Sequence, residues 1–86
     1  MPTISVFYGI VIAMFYNDHD PPHFHARYAE YRARVAIDGG EVLAGELPPR
    51  AARLVREWAG LHRAELEQDW RLAQELRPLI PIEPLP

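Results

Sequence analysis

His23-Phe24-His25-Ala26-Arg27-Tyr28-Ala29-Glu30-Tyr31-Arg32-Ala33-Arg34-Val35-Ala36-Ile37 alternates twice, with a brief interruption at its centre. Successive side chains of a strand point to opposite faces, so each half sorts its residues by parity. Phe24, Ala26 and Tyr28 share one face, and His23, His25 and Arg27 share the other. In the second half, Tyr31, Ala33, Val35 and Ile37 oppose Arg32 and Arg34. A hairpin turning at Ala29-Glu30 sets Tyr28 against Tyr31, Ala26 against Ala33 and Phe24 against Val35, which makes one continuous apolar face. On the polar face Arg27 meets Arg32 and His25 meets Arg34. A slip of one residue would mix the two faces, so the pattern itself specifies the register. The turn is the weak point. Ala-Glu is a poor two-residue hairpin pair beside Asn-Gly, and a longer loop is the alternative.

Outward from this hairpin, Asp38-Gly39-Gly40-Glu41 is a stronger turn signal and leads into a further strand, Val42 to Leu47. Upstream, Ile4 to Tyr16 is β-branched and aromatic, interrupted at Gly9, and reads as one bent strand or two short ones. Pro48-Pro49 ends the sheet and suits a first helical turn. Residues 49–76 read helical, with Ala51, Leu54, Val55, Trp58, Leu61 and His62 on one stripe. That stripe drifts beyond Gly60, so the region is one kinked helix or two helices. Residues 77–86 are proline-rich and extended. The expected fold is α+β: a small antiparallel sheet of three to five strands within 3–47, covered on one face by the helical region. The whole chain, 1–86, reads as a single domain, with Trp58 packed on Phe24, Val35 and Ile37.

The chain has 86 residues, no cysteine and a formal charge of −3. A chain this short builds one modest core. The missing thiols exclude disulfides and cysteine-ligated zinc, and they fit a cytoplasmic setting. The first sixteen residues are too short to span a bilayer before the polar run Asn17 to Asp20, so no membrane association is expected. All nine basic residues are arginine, and the acidic balance argues against a general nucleic-acid binder.

Asp18-His19-Asp20-Pro21-Pro22-His23-Phe24-His25 concentrates three of the four histidines. Three readings are open. In the first, His23 and His25 share a strand face and hold a divalent transition metal, with His19, Asp18 or Asp20 returning over that face as a third ligand. In the second, His23 and His25 act as acid and base without a metal, as in cleavage of RNA at its own 2′-hydroxyl. Arg27 and Arg34 would then bind phosphate, with Arg32 beside them. In the third, the histidines are ordinary polar residues of a recognition surface. His62, four residues after Trp58, reads as a helix-boundary residue packing on the sheet.

At Pro2-Thr3-Ile4-Ser5, Phe7-Tyr8-Gly9-Ile10, the segment Asp18 to Ala26, and Gly45-Glu46-Leu47-Pro48, the chain resembles the small prokaryotic proteins grouped as domain of unknown function 4160. The resemblance runs on to the Trp58 helix and the Pro-Ile-Glu-Pro-Leu tail. It implies a neighbouring gene for a second small protein, in a toxin–antitoxin-like layout, with partner binding as the basic activity. The alternative is a small ribonuclease-like or metal-dependent enzyme using the segment Asp18 to His25. Leu79, Ile80, Ile82 and Leu85 are expected to be exposed, as a strip for docking a partner or for homo-oligomerisation through residues 78–86. One departure stands out, since the resemblance implies glycine before Glu30, where this chain has Ala29.

Overall fold

The computed structural model describes residues 2–86, so Met1 lies outside the described residues. Five strands run as an antiparallel meander in chain order: β1 (Thr3–Phe7), β2 (Ile10–Ala13), β3 (His23–Tyr28), β4 (Tyr31–Ala36) and β5 (Val42–Gly45). Two helices follow, α1 (Pro49–Leu61) and α2 (Arg63–Gln74). The fold is the α+β arrangement expected, with the N-terminal apolar run resolved into two strands. Tyr8 and Gly9 both take positive φ, 50° and 78°, and connect β1 to β2 in two residues. Positive φ at both central positions matches the twist of the flanking strands.

The β3–β4 register is the one that alternation dictates: Phe24 pairs with Val35, His25 with Arg34, Ala26 with Ala33, Arg27 with Arg32 and Tyr28 with Tyr31. The turn is two residues long despite its poor composition. Ala29 takes φ 52°, in the left-handed region where a Cβ crowds the backbone. Strand β5 ends at Gly45 rather than at Leu47. Gly45 has φ 76°, and a Cβ there would stand 2.1 Å from the Arg32 carbonyl oxygen, so the chain leaves the sheet at a position open to glycine alone.

The apolar face of the sheet and the two helices form one core. Trp58 is fully buried, its ring 5.7 Å from Phe24 and 5.3 Å from Phe7, in a cluster that includes Val35 and Ile37. The helical region divides at His62, which ends α1 and precedes α2, and helix α2 stops at Gln74, two residues short of the expected Leu76. The break rotates the second apolar stripe to Leu66, Trp70 and Ala73 and leaves Leu61 63% exposed, off the stripe the sequence assigns it to. His62 is half-buried against Trp58 and bonds Glu65 Oε1 at 2.6 Å.

The tail corrects the sequence reading. Ile82 and Leu85 are buried, not exposed, and Leu79 packs against the same core, while Ile80 alone of the four stands open. Hydrogen bonds fasten the segment: Trp58 Nε1–H to the Glu83 carbonyl at 2.9 Å, Ile82 N–H to the Ile4 carbonyl at 2.8 Å, and Tyr8 O–H to the Pro86 carbonyl at 2.6 Å. The apolar residues that would have formed a strip for self-association are spent within the molecule. Asp69 is the anchor missed from sequence. Its Oδ1 accepts the Ile80 N–H at 2.9 Å, while its Oδ2 is buried without a partner. Burial pushes this carboxyl above the ordinary aspartate range. The Ile80 amide pulls it down, and Glu65, one turn earlier, pushes it further up.

Ala29→Gly should stabilise the protein by about 0.5–1 kcal/mol, the left-handed cost of roughly 1–2 kcal/mol less glycine's greater unfolded-state entropy. In a domain of this size that is a rise of roughly 3–6 °C in melting temperature, read by calorimetry. Asp69 gives a pH signature. Its folded pKa lies above its unfolded one, so its proton-linked contribution is full at acid pH and is lost as pH rises through the raised value. The melting temperature of the parent relative to Asp69→Asn should therefore fall across that interval, and a flat difference from pH 3 to 8 would contradict the assignment.

Candidate functional site

The loop from Tyr16 to Pro22 crosses the end of the sheet and is held by α2. The Asn17 N–H donates to the Ala73 carbonyl at 3.2 Å, and Gln74 Nε2 donates to the Asp18 carbonyl at 2.9 Å. Asn17 takes φ 54°, a conformation that asparagine tolerates better than most residues. These contacts bring Asp18 over the start of β3, where strand parity has already placed His23 and His25 side by side, their rings 5.2 Å apart.

One carboxylate oxygen serves both imidazoles. Asp18 Oδ2 lies 2.9 Å from His23 Nε2 and 3.3 Å from His25 Nε2. The other oxygen, Oδ1, accepts the His19 N–H at 2.9 Å and lies 3.1 Å from His19 Nδ1. His23 is buried beside Trp70, with ring centroids 5.4 Å apart, and His25 is half-buried with Phe15 stacked on it at 4.0 Å. His19 is 76% exposed at its side chain, and Asp20 is exposed and in no ion pair among the described residues. The three groups with donor atoms within 4.8 Å of one another are Asp18, His23 and His25.

The chemistry of this cluster turns on His23. Its Nδ1–H donates to the Pro21 carbonyl at 2.8 Å, so a neutral ring presents a bare lone pair at Nε2. That lone pair faces the Asp18 carboxylate at 2.9 Å. Two acceptors do not attract each other, so the pair requires a cation: a proton on Nε2 or a metal ion between the two atoms. Ligand atoms bound at roughly 2.0–2.2 Å around one ion lie roughly 2.9–3.5 Å from one another, the range of both Asp18–imidazole distances. An Nδ1–H bonded to a main-chain carbonyl is also the usual way a metal-binding imidazole is oriented.

The electrostatics prepare the cluster for a cation. Burial pushes Asp18 up, but the His19 amide, the hydrogen bond with His25, and the charge and hydrogen bond of His23 leave it below the ordinary range and ionised. Burial holds His25 below the usual imidazole range. The charges of His23 and Arg34 add to that, and Asp18 opposes it. His25 is therefore neutral at neutral pH.

His25 also opens onto the uncovered face of the sheet. There it lines a groove of about 310 Å³ with Arg27, Arg32 and Arg34. Arg34 is the cross-strand partner of His25, and Arg27 that of Arg32. The sequence places these residues on one face. It does not disclose Gln74 as the residue steering Asp18, nor Trp70 and Phe15 as the walls of the two imidazoles. Gln74 lies more than fifty residues downstream, and neither local pattern nor spacing ties it to the loop.

The model of the family described as Domain of unknown function (DUF4160) matches residues 9–71, which span strands β2 to β5, α1 and most of α2. The chain belongs to this family. No curated protein and no solved structure matches it. Among the described residues, no helix is long and apolar enough to cross a membrane.

Proposed function

We propose that this DUF4160 protein binds a divalent transition ion through Asp18, His23 and His25 and that its activity depends on that ion. The observation that carries the reading is the facing of His23 Nε2 and Asp18 Oδ2 at 2.9 Å while Nδ1 is committed to the Pro21 carbonyl. Two imidazoles and one carboxylate suit zinc, manganese, iron or nickel, and three protein ligands leave coordination positions for water or a substrate. An ion so held can polarise a bound oxygen or generate hydroxide. His19 and Asp20 sit outside the three-ligand set, His19 on the far oxygen of Asp18, where it steadies the carboxylate.

Protein purified without a histidine tag and stripped of metal should take up about one ion per chain in a titration with zinc or manganese, with a rise in melting temperature. Asp18→Asn and His25→Ala should each weaken uptake by roughly a hundredfold or more, and His19→Ala by far less. Binding displaces protons from the ligands, so uptake should weaken on acidification. Failure to bind either ion, with an unchanged melting temperature, would leave the proton as the cation of the pair. That leaves the two metal-free readings, an acid–base site in which Asp18 orients His23 and His25 or a polar recognition surface, and cleavage of single-stranded RNA in the presence of a chelator, lost in His25→Ala, would separate them.

A second reading concerns partners. Membership of the family, together with the uncovered sheet face where Val6 stands 55% exposed and the edge strand where Leu43 stands 45% exposed, supports a role in a cytoplasmic, toxin–antitoxin-like two-protein module. The chain should then co-purify with the small protein encoded by the neighbouring gene. Val6→Glu or Leu43→Glu should abolish that association without unfolding the chain, and separate elution of the two parent proteins would refute it.

A further inference from the structure

The groove on the uncovered sheet face holds a charge arrangement that the fold does not require. Arg27 and Arg32 are directly opposed across β3 and β4, and like charges in that position repel. Arg34 lies two residues along the same face from Arg32. The arginine ion pairs among the described residues are Arg63–Asp38, Arg63–Glu67 and Arg77–Glu75, so none of the three groove arginines is neutralised. Glu46, Glu41 and Glu30 follow or precede these strands closely in sequence, yet none pairs with them. An opposed, unneutralised pair with a third guanidinium beside it concentrates positive charge at one place on the sheet.

The rest of the lining limits what that anion is. The lining is apolar at its flanks, with Val11, Ala13 and Phe15 on the β2 side and Ala44 and Gly45 on the β5 side, and His25 and the arginines stand on the two strands between. Small residues at Ala13, Ala44 and Gly45 leave room beside the longer central side chains. At about 310 Å³ the groove is at the lower end of small-molecule sites. A bare phosphate would occupy the arginines and leave the Val11, Ala13 and Phe15 flank uncovered. A nucleic-acid strand would need a longer basic track than three arginines on a chain of net charge −3.

We propose that the groove lined by Arg27, Arg32, Arg34 and His25 binds a small phosphate ester with a flat apolar group, of nucleoside monophosphate size. Two guanidinium forks grip the phosphate bidentately, and the ring lies on the Val11, Ala13 and Phe15 flank. The proposal rests on the groove alone, and His25 is the element it shares with the metal cluster.

The test uses the full chain, stripped of metal and dialysed, titrated calorimetrically with adenosine 5′-monophosphate at low salt. Binding in the range of about 1 mM or tighter is expected, with adenosine and ribose 5-phosphate each weaker by roughly tenfold or more. Arg34→Gln and Arg27→Gln should each weaken the monophosphate by roughly tenfold or more, with the circular dichroism unchanged, and added salt should weaken it further. In the parent, the side-chain Nε–H resonances of Arg27, Arg32 and Arg34 should move on titration while those of Arg63 and Arg77 stay in place. No heat at about 5 mM ligand, adenosine binding as well as its phosphate, or insensitivity to both substitutions would overturn the proposal. A single-stranded RNA ten-mer binding more than roughly tenfold tighter than the monophosphate would overturn it in favour of nucleic acid. Because no metal is present in any arm, these outcomes leave the ion-binding experiment undisturbed, and each reading can fail alone.

Discussion

Everything in this molecule hangs on the parity of β3. Its even-numbered residues, Phe24, Ala26 and Tyr28, take the apolar face, and its odd-numbered ones, His23, His25 and Arg27, take the opposite face, where His23 at the strand's start is closed over by Trp70. The central strand of a five-stranded sheet is paired on both sides, so it cannot slip without breaking two ladders and turning the core inside out. The pairing that fixes Phe24 under Trp58 therefore also fixes two imidazoles beside each other and three guanidinium groups around one hollow. Core and site are opposite sides of a single constraint.

The parts read correctly from sequence are those encoded by short-range pattern. Alternation over residues 23–37 specified the hairpin register pair by pair, and the diglycine at 39–40 marked the next turn. What escaped was long-range or special backbone geometry. Leu61 has the right spacing for the α1 stripe, but the break at His62 rotates the next turn away and leaves it in solvent. The tail offers only its composition, and apolar residues between prolines look the same whether they await a partner or fold back. Buried Asp69 decides between these outcomes here by accepting the Ile80 N–H, and nothing in its neighbourhood of the sequence marks it as buried. In the site, alternation located His23 and His25, whereas the choice of Asp18 over Asp20 follows from α2 capturing the loop through Asn17 and Gln74.

One feature on the polar side runs against stability: Arg27 opposes Arg32. Another, the lone buried oxygen of Asp69, belongs to the anchoring of the tail. A domain this small holds only a modest stability reserve, of the order of 5–15 kcal/mol. The opposed arginines and the imidazole–carboxylate contacts both adjoin His25, which sets this face apart from the rest of the sheet surface.

The tail joins parts of the chain that are remote in sequence. Tyr8 and Pro86 meet across 78 residues, and Ile82 lies on Ile4, whereas the meander is built from neighbours in order. The entropy of closing so long a loop grows only logarithmically with its length, but it must be met before the contacts return anything. Local pairings of low contact order form early, and clasps of high contact order form late. The proline-rich strap is the piece whose docking closes the longest loop. It supplies the Glu83 carbonyl to the Trp58 indole N–H and adds Ile82 and Leu85 to the core, so a segment remote in sequence completes what neighbouring strands begin.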